Sequence, residues 1–367
     1  MTRSARVVVD LAAVVSNARA VRRACPRAAL IAVVKRDAYG HGAPAVARAL
    51  RGIADLLGVA DAGEALALRA AGIRAPVLVL GAVAPSEQGT LARAGCLPTV
   101  ADERDLAAVP FQSDGRLAAH LKFDTGMGRL GFDASGASRV AAMLRRRGVR
   151  RLAGTWTHLA AADEAGFTRA QLRRFDESLQ ALARAGVDPG LTHVANSAAV
   201  LANPRARSYR AVRPGLLLYG CSPAGTRRPP WLRAAMSFRA RVAAVRSVAQ
   251  GATVSYDHTW RAPRAATLAV LAAGYADGFS RLQSGRGIVL VRGRRAPVRG
   301  IVCMNLTVVE VTGVPGVKAG DEAVFFGSQK GAHLPAEEVA ARQRTIPYEV
   351  LCSAGGLNLR SWRGRRG

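Results

Sequence analysis

The sequence predicts a (β/α)8 barrel of the TIM type followed by a smaller, mostly β C-terminal domain, and three observations carry that expectation. From Ala28 onward, short apolar runs alternate with Ala/Leu/Arg stretches of helical period. Reactive polar residues fall at the C-terminal ends of those apolar runs, where such barrels build their sites. After Tyr219 the texture changes to β-rich segments separated by glycine-containing turns. A chain of 367 residues suits a barrel of ordinary size plus a second domain.

The predicted barrel strands are Leu30–Val34, Leu56–Val59, Val77–Leu80, Leu97–Val100, Leu117–Phe123, Leu152–Thr157, Leu191–His193 and Tyr209–Val212. Amphipathic helices are expected between them, among others at Ala43–Arg51, Ala62–Ala71 and Thr168–Ala185, with stops at Gly72, Gly95, Gly148 and Gly186. A doubly wound open sheet is the rival fold, but no G-x-G-x-x-G follows an early strand. Gly225 to Pro230 reads as a linker, which divides the chain into residues 1–225 and 226–367. The first few residues are free to pair with the second domain. There the expected strands are Ser237–Val248, Thr267–Leu271, Gly287–Val291, Val302–Val311 and Glu322–Phe326. No solenoid repeat is present.

Composition limits the function classes. The net charge of +28 would suit a nucleic-acid or membrane-surface binder. However, only four of the 53 basic residues are lysine, and the arginines sit singly along helix-like stretches apart from one tight cluster at Arg145-Arg146-Arg147 and a basic tail from Arg360. Aromatics make up 5% and do not interleave with the basic clusters, so stacking platforms are lacking. Compositional bias is the preferred reading, and neither nucleic acid nor membrane is expected as a partner. The five cysteines (Cys25, Cys96, Cys221, Cys303, Cys352) are scattered, which argues against a disulfide framework or a zinc site. With no signal peptide and no transmembrane run in view, a cytoplasmic protein without a metal is expected.

Lys35 follows Ile31-Ala32-Val33-Val34, and Lys122 lies inside the run Leu117–Phe123. Burial lowers a lysine pKa, and an uncharged amine is what condensation with a carbonyl requires. His158, His193 with Asn196 and Ser197, and Arg213-Pro214-Gly215 end or follow later strands.

Several of these segments resemble alanine racemases. They are Ala32-Val33-Val34-Lys35-Arg36-Asp37-Ala38-Tyr39-Gly40-His41-Gly42, Leu121–Gly131, Ala195-Asn196-Ser197-Ala198, Arg213-Pro214-Gly215 with Leu218-Tyr219-Gly220, Gly274-Tyr275-Ala276-Asp277-Gly278, Cys303-Met304, and Ile346-Pro347-Tyr348-Glu349-Val350. They stand in the family's order from residue 30 to 351. The resemblance implies a pyridoxal phosphate (PLP) barrel with a C-terminal β domain that interconverts L- and D-alanine and supplies D-alanine for peptidoglycan.

By that resemblance Lys35 carries PLP and acts as base on one face of the substrate carbon. Tyr275 is the base on the other face, reaching the partner's barrel in a homodimer. Racemisation needs both, because the proton leaves from one side and returns on the other. Arg213 matches the arginine facing the pyridine nitrogen; a guanidinium does not give up its proton, so the ring stays a weaker electron sink. His158 and His193 match residues linking Tyr275 and Arg213, and either also reads as a satisfied core histidine. Tyr39, Ser197, Tyr348 and the N–H groups of Gly215 and Leu216 match the phosphate contacts, with Asn196 a neighbour. Arg129 and the Met304 N–H match the substrate-carboxylate contacts. Lys122 matches a lysine that many members carry as a carbamate, an anion able to pair with Arg129.

The departures are Arg36 and Asp37 after the lysine, Asn305 after Met304, and Ile301 where an entrance arginine is frequent. They predict a more apolar entrance. Within the class, a racemase for serine or a broader set of amino acids is an alternative, because the discrimination rests on contacts worth only ~1–3 kcal/mol. A decarboxylase on a related barrel is disfavoured by Tyr275 and Arg213. A non-catalytic PLP-binding protein would need only the barrel.

Overall fold

The structure, a computed structural model, describes residues 4–110 and 114–364. Ten strands form one parallel sheet. Its path runs Cys96–Leu97, Val77–Val79, Leu56–Val59, Ala29–Val33, Ala211–Val212, Leu191–His193, Arg151–Trp156, Arg116–Asp124, Thr99–Val100, and Phe132–Asp133 pairs off the path with Arg116–Asp124. The two ends of the path are halves of one segment. Pro98 interrupts the strand because it has no N–H to donate. Its carbonyl instead accepts from the His120 N–H at 2.9 Å, and the sheet thereby curls into the predicted barrel.

The strands form because they are apolar on both sides, as a covered parallel sheet requires. In Ala29–Val33 and Val77–Val79 nearly every residue is buried. Three of the helices that cover the barrel begin at carboxylate caps. Asp10, Asp61 and Asp102 each accept a backbone N–H of the first turn. The last predicted strand is shorter than expected, Ala211–Val212. Tyr209 turns outward instead, donating its hydroxyl to Asp176 at 2.7 Å and packing edge-on against Phe175.

The second sheet has nine strands. Its central strand Met236–Val248 pairs antiparallel with Arg6–Asp10, which pairs in turn, parallel, with Leu359–Arg363. The two chain ends are thus neighbours in the sheet that belongs to the C-terminal half. Phe238, Phe279 and Phe325 form its aromatic core, with ring centroids 4.7–4.8 Å apart. This half is mostly β, with two helices, Ala336–Arg342 and Pro347–Leu357. The expected strand Val302–Val311 forms only over Thr307–Glu310. Its first residues serve another segment: the carbonyls of Cys303 and Met304 accept from the N–H groups of Tyr275 and Ala276, each at 3.0 Å.

The helix Pro347–Leu357 packs against the mouth of the barrel through a glycine pair. A Cβ on Gly355 would lie 2.2 Å from the Gly40 carbonyl oxygen. No helix among the described residues is long and apolar enough to cross a membrane.

Glycine inside a helix is ordinarily improved by alanine, by about 0.5–1 kcal/mol. At Gly355 the sign should reverse. Gly355→Ala is expected to cost about 1–3 kcal/mol through the clash with the Gly40 backbone, whereas Gly356→Ala, whose Cβ meets nothing, is expected to stabilise. Urea midpoints of the two variants check this, and equal shifts would contradict the close packing.

Candidate active site

The strand Ala29–Val33 delivers Lys35 to the C-terminal mouth of the barrel. The chain then makes an unusual turn: Arg36, Asp37, Ala38 and Tyr39 all have φ of 50–57°, and Gly40 has 79°. Left-handed backbone costs roughly 1–2 kcal/mol per non-glycine residue. Surrounding groups hold it there. The Arg36 N–H donates to Glu64 at 2.7 Å, and the Asp37 carboxylate accepts the Ala43 N–H at 2.6 Å and pairs with Arg360. Below the turn, the Tyr219 hydroxyl donates to the Val33 carbonyl at 2.8 Å, and the His41 ring stacks on Tyr219 at 4.4 Å.

The pKa of Lys35 is lowered, first by burial and then by the nearby Arg129. Lys122, 1% exposed, is pushed down to about 8 by burial and by Arg129. Its Nζ donates to the Leu130 carbonyl at 2.5 Å and lies 4.9 Å from the centre of the Trp156 ring. The same indole lies 4.6 Å from the Arg213 guanidinium and stacks on His193 at 5.6 Å.

Arg213 is 4% exposed and has no carboxylate partner among the described residues. Its charge is held by the carbonyls of Thr157 and Val194 at 2.8 and 3.1 Å, by His193 Nδ1 at 2.7 Å, and by the Trp156 face. A guanidinium only donates, so His193 Nδ1 is an acceptor and its proton sits on Nε2. That proton goes to His120 Nδ1, 2.8 Å away, so His120 carries its own proton on Nε2. Burial first, then Arg213, keeps both rings neutral: His120 is pushed down to about 3 and His193 also falls. His158 is likewise pushed down to about 3, and its Nδ1 lies 3.4 Å from Arg213 Nη2.

Ser197 opens the helix Ser197–Ala202, which Asn196 caps by accepting from the Ala199 N–H at 3.0 Å. The Ser197 Oγ accepts from the N–H groups of Gly215 and Leu217 at 3.0 and 3.3 Å. The Gly215 N–H, expected to be open, is therefore engaged, and the Leu216 N–H has no partner among the described residues. A Cβ on Gly215 would lie 2.5 Å from the Tyr39 hydroxyl, so only glycine fits. The Tyr39 and Tyr348 rings meet edge to face at 5.4 Å. Both phenols have raised pKa values through burial, Tyr348 to about 12, so both stay protonated donors. Neither hydroxyl makes a hydrogen bond among the described residues.

The mouth thus gathers Lys35, Tyr39, Lys122, Arg129, His158, His193, Ser197, Arg213, Gly215, Leu216 and Tyr348. Tyr275 and Met304 stand apart, 40% and 55% exposed on the C-terminal half. Their two segments are joined by the Tyr275–Cys303 and Ala276–Met304 backbone bonds, and no hydrogen bond or ring contact joins either side chain to the mouth among the described residues. Ile301 is 8% exposed, so in this chain it offers little surface to an entrance; Asn305 is exposed. The Arg36 side chain is exposed and lies 3.9 Å from Asp61. Two residues were not singled out from the sequence. His120 precedes Lys122 by two positions on the same strand, the spacing that puts both on one face; that spacing was a usable signal. Trp156 reads as ordinary strand core. Among the described residues no group of three or more His, Cys, Asp or Glu is placed for a metal.

Lys122 gives a pH test. Its amine titrates at about 8 in the fold against an ordinary 10.5. Between those values the unfolded chain holds a proton that the folded chain has released, so this residue makes stability rise with pH across that window. Lys122→Met should therefore be most stabilising relative to the parent below pH 8, with the advantage shrinking toward 10.5. Urea unfolding of both proteins at the two ends of the window reads it. A difference independent of pH would contradict a buried free amine.

Comparison with known proteins places this arrangement. Residues 9–223 match the profile "Alanine racemase, N-terminal domain", and residues 235–361 match "Alanine racemase, C-terminal domain". The alanine racemase of Sorangium cellulosum is 43% identical, over 96% of this chain and 97% of its own length. That of Symbiobacterium thermophilum is 41% identical, over 94% and 93%. The solved alanine racemase from D-cycloserine-producing Streptomyces lavendulae superposes with a TM-score of 0.90 at 38% identity, covering 100% of this chain and 98% of that one. The Bacillus anthracis alanine racemase solved with L-Ala-P gives 0.87 at 33% identity, covering 100% and 97%. With two profiles spanning most of its length and relatives this similar end to end, the chain belongs to the alanine racemase family.

Proposed function

We propose that this protein interconverts L- and D-alanine with PLP as cofactor and with Lys35 and Tyr275 as the two bases. The observation that carries the reading is the convergence on one barrel mouth of a lysine with a lowered pKa, a buried arginine and a ring of hydroxyl donors.

The residues fit PLP. The glycine at 215 keeps the Tyr39 hydroxyl uncovered, and the Ser197, Tyr39 and Tyr348 hydroxyls with the Leu216 N–H can donate to a phosphate. Arg213 would hold the ring nitrogen and Lys35 the carbonyl carbon. When bound, the cofactor supplies an electron sink that acidifies the substrate Cα–H. Arg213 keeps its own proton, which limits that sink and disfavours side reactions that need a long-lived carbanion.

Lys35 Nζ would exchange the Cα proton on one face and the Tyr275 hydroxyl on the other. Arg129 and the Met304 N–H would hold the substrate carboxylate, with Lys122 steadying Arg129 once carbon dioxide adds to its free amine to give a carbamate. His158, kept neutral, can accept from Arg213 at Nδ1 and present its Nε2–H toward Tyr275. His193 and His120 extend the same bond chain into the barrel and fix the Arg213 guanidinium.

Tyr275 makes no hydrogen bond or ring contact with the mouth of its own chain among the described residues, so we infer a homodimer in which each copy donates Tyr275 and Met304 to the other. The face around them supports this: Leu306 and Ile346 are exposed there at 41% and 53%, unusual for large apolar side chains. The barrel unit is placed at residues 1–225 and the β-rich unit at 226–367, with the first strand crossing between them. The five dispersed thiols suit the cytoplasm, where D-alanine would be made for peptidoglycan.

Racemisation of L-alanine in D2O, followed by optical rotation and Cα–H exchange, tests the chemistry. Lys35→Ala and Tyr275→Phe are each expected to abolish interconversion. Loss-free racemisation in Tyr275→Phe would refute the second base. Mixing the two inactive variants tests the shared site. Random re-pairing restores one intact site in half of the dimers, so about a quarter of the parental activity should return. No recovery from dimers shown to have exchanged would place both bases in one chain.

A further inference from the structure

We propose that the groove between the helices Leu11–Ala24 and Ala43–Ala49 is a second ligand site, built for a small molecule that carries a chain of two or more phosphates. The groove is a cavity of about 1070 Å³ on the flank of the barrel. Arg19, Arg23, Arg48, Arg51 and Arg233 line it, and no aspartate or glutamate does.

Four of these five arginines are uncommitted. Arg48 donates to the Ala71 carbonyl at 2.9 Å. The side chains of Arg19, Arg23, Arg51 and Arg233 make no hydrogen bond or ion pair among the described residues. The nearby carboxylates are taken: Asp55 pairs with Arg22 and Asp10 with Arg363. Compositional bias explains many arginines but not this placement. The other arginine-rich hollow, around Arg264, Arg294 and Arg299, includes Glu310, which grips Arg299 at 2.6 Å. A concave surface of one sign with nothing inside to neutralise it concentrates anions.

The chemistry selects the anion. Guanidinium groups present paired donors that match phosphate oxygens, and several in one cleft match several phosphates. The volume is far larger than one phosphate needs and is that of a site for a whole small molecule. Leu11, Val15, Ala45 and Ile53 give the groove apolar surface as well, which a flat ring attached to the phosphates could cover.

The two helices lead to the barrel mouth. Asn17, on the first, donates to the carbonyls of Leu218 and Arg233 at 3.1 and 2.7 Å, which anchors the segment just after Gly215. The second starts at Ala43, whose N–H is held by Asp37 of the lysine turn. A ligand bridging the helices therefore stiffens both segments that frame the proposed cofactor site.

The test is calorimetric titration of the PLP-loaded protein at about 0.15 M salt, where surface charge is screened beyond roughly 8 Å. The probes are inorganic tripolyphosphate, ATP, orthophosphate and a short single-stranded oligonucleotide. The variant Arg19→Gln/Arg51→Gln is compared with a control of equal charge, Arg264→Gln/Arg294→Gln; glutamine keeps part of each stem, and matched thermal midpoints verify folding. One saturable tripolyphosphate site per chain is expected, weakened about tenfold or more in the groove variant and unchanged in the control. ATP binding equal to tripolyphosphate identifies the phosphate chain as the ligand, and tighter ATP binding identifies a nucleotide; both support the site. Equal weakening in the two variants, orthophosphate binding as tightly as tripolyphosphate, tighter binding of the oligonucleotide, or no saturable binding would each overturn it.

Discussion

Arg36, Asp37, Ala38 and Tyr39 hold a backbone conformation that side chains with a Cβ resist, and the lysine at the barrel mouth is aimed by it. The turn persists because its neighbours leave it no alternative. Glu64 takes one N–H, Asp37 joins the following helix to Arg360, and Gly40 sits against Gly355. Arg360 belongs to a strand that pairs with the first strand of the chain, and Gly355 belongs to the helix that brings Tyr348 to Tyr39. The C-terminal half is thus part of the support for a turn near the N-terminus.

Charge organises the rest of the mouth. Burial lowers the pKa of His158 most, and Arg213, Arg129, Lys122 and Lys35 add to it. The one acid of that loop, Asp124, is occupied by the N–H groups of Gly126, Met127 and Arg129 at 2.8 Å each. The result is a cationic barrel mouth that favours anions and keeps its histidines neutral. Neutral rings can pass on the orientation of a single donor. From Arg213 through His193 to His120, each tautomer is dictated by its predecessor.

Much of this was legible in the chain alone. Buried strands of a parallel barrel are nearly continuous apolar runs, so most announced themselves, whereas the two-residue strand Phe132–Asp133 did not. The lysines at Lys35 and Lys122 stood out because a charged residue is costly in such a run and therefore informative. The resemblance of ordered motifs pointed to the family, which the end-to-end similarity shows. The helix Pro347–Leu357 was harder to see, since Gly355 and Gly356 weaken its local pattern and the packing that needs Gly355 lies far away in sequence.

What the sequence determined by itself was therefore periodic or local: strand and helix pattern, glycine helix stops, and the identity of most groups at the mouth. Tertiary structure decided what depends on residues remote in the chain. It split a strand at Pro98 and closed the barrel there, and it paired Arg6–Asp10 with Met236–Val248. It set Trp156 beneath two cations and made His120 the end of a relay that begins at Arg213. It also left Tyr275 40% exposed on the C-terminal half. The physical reason is the same throughout. Periodicity records which side of an element is dry, whereas a partner's distance, a proton's position and a clash at a missing Cβ exist only once the elements are packed.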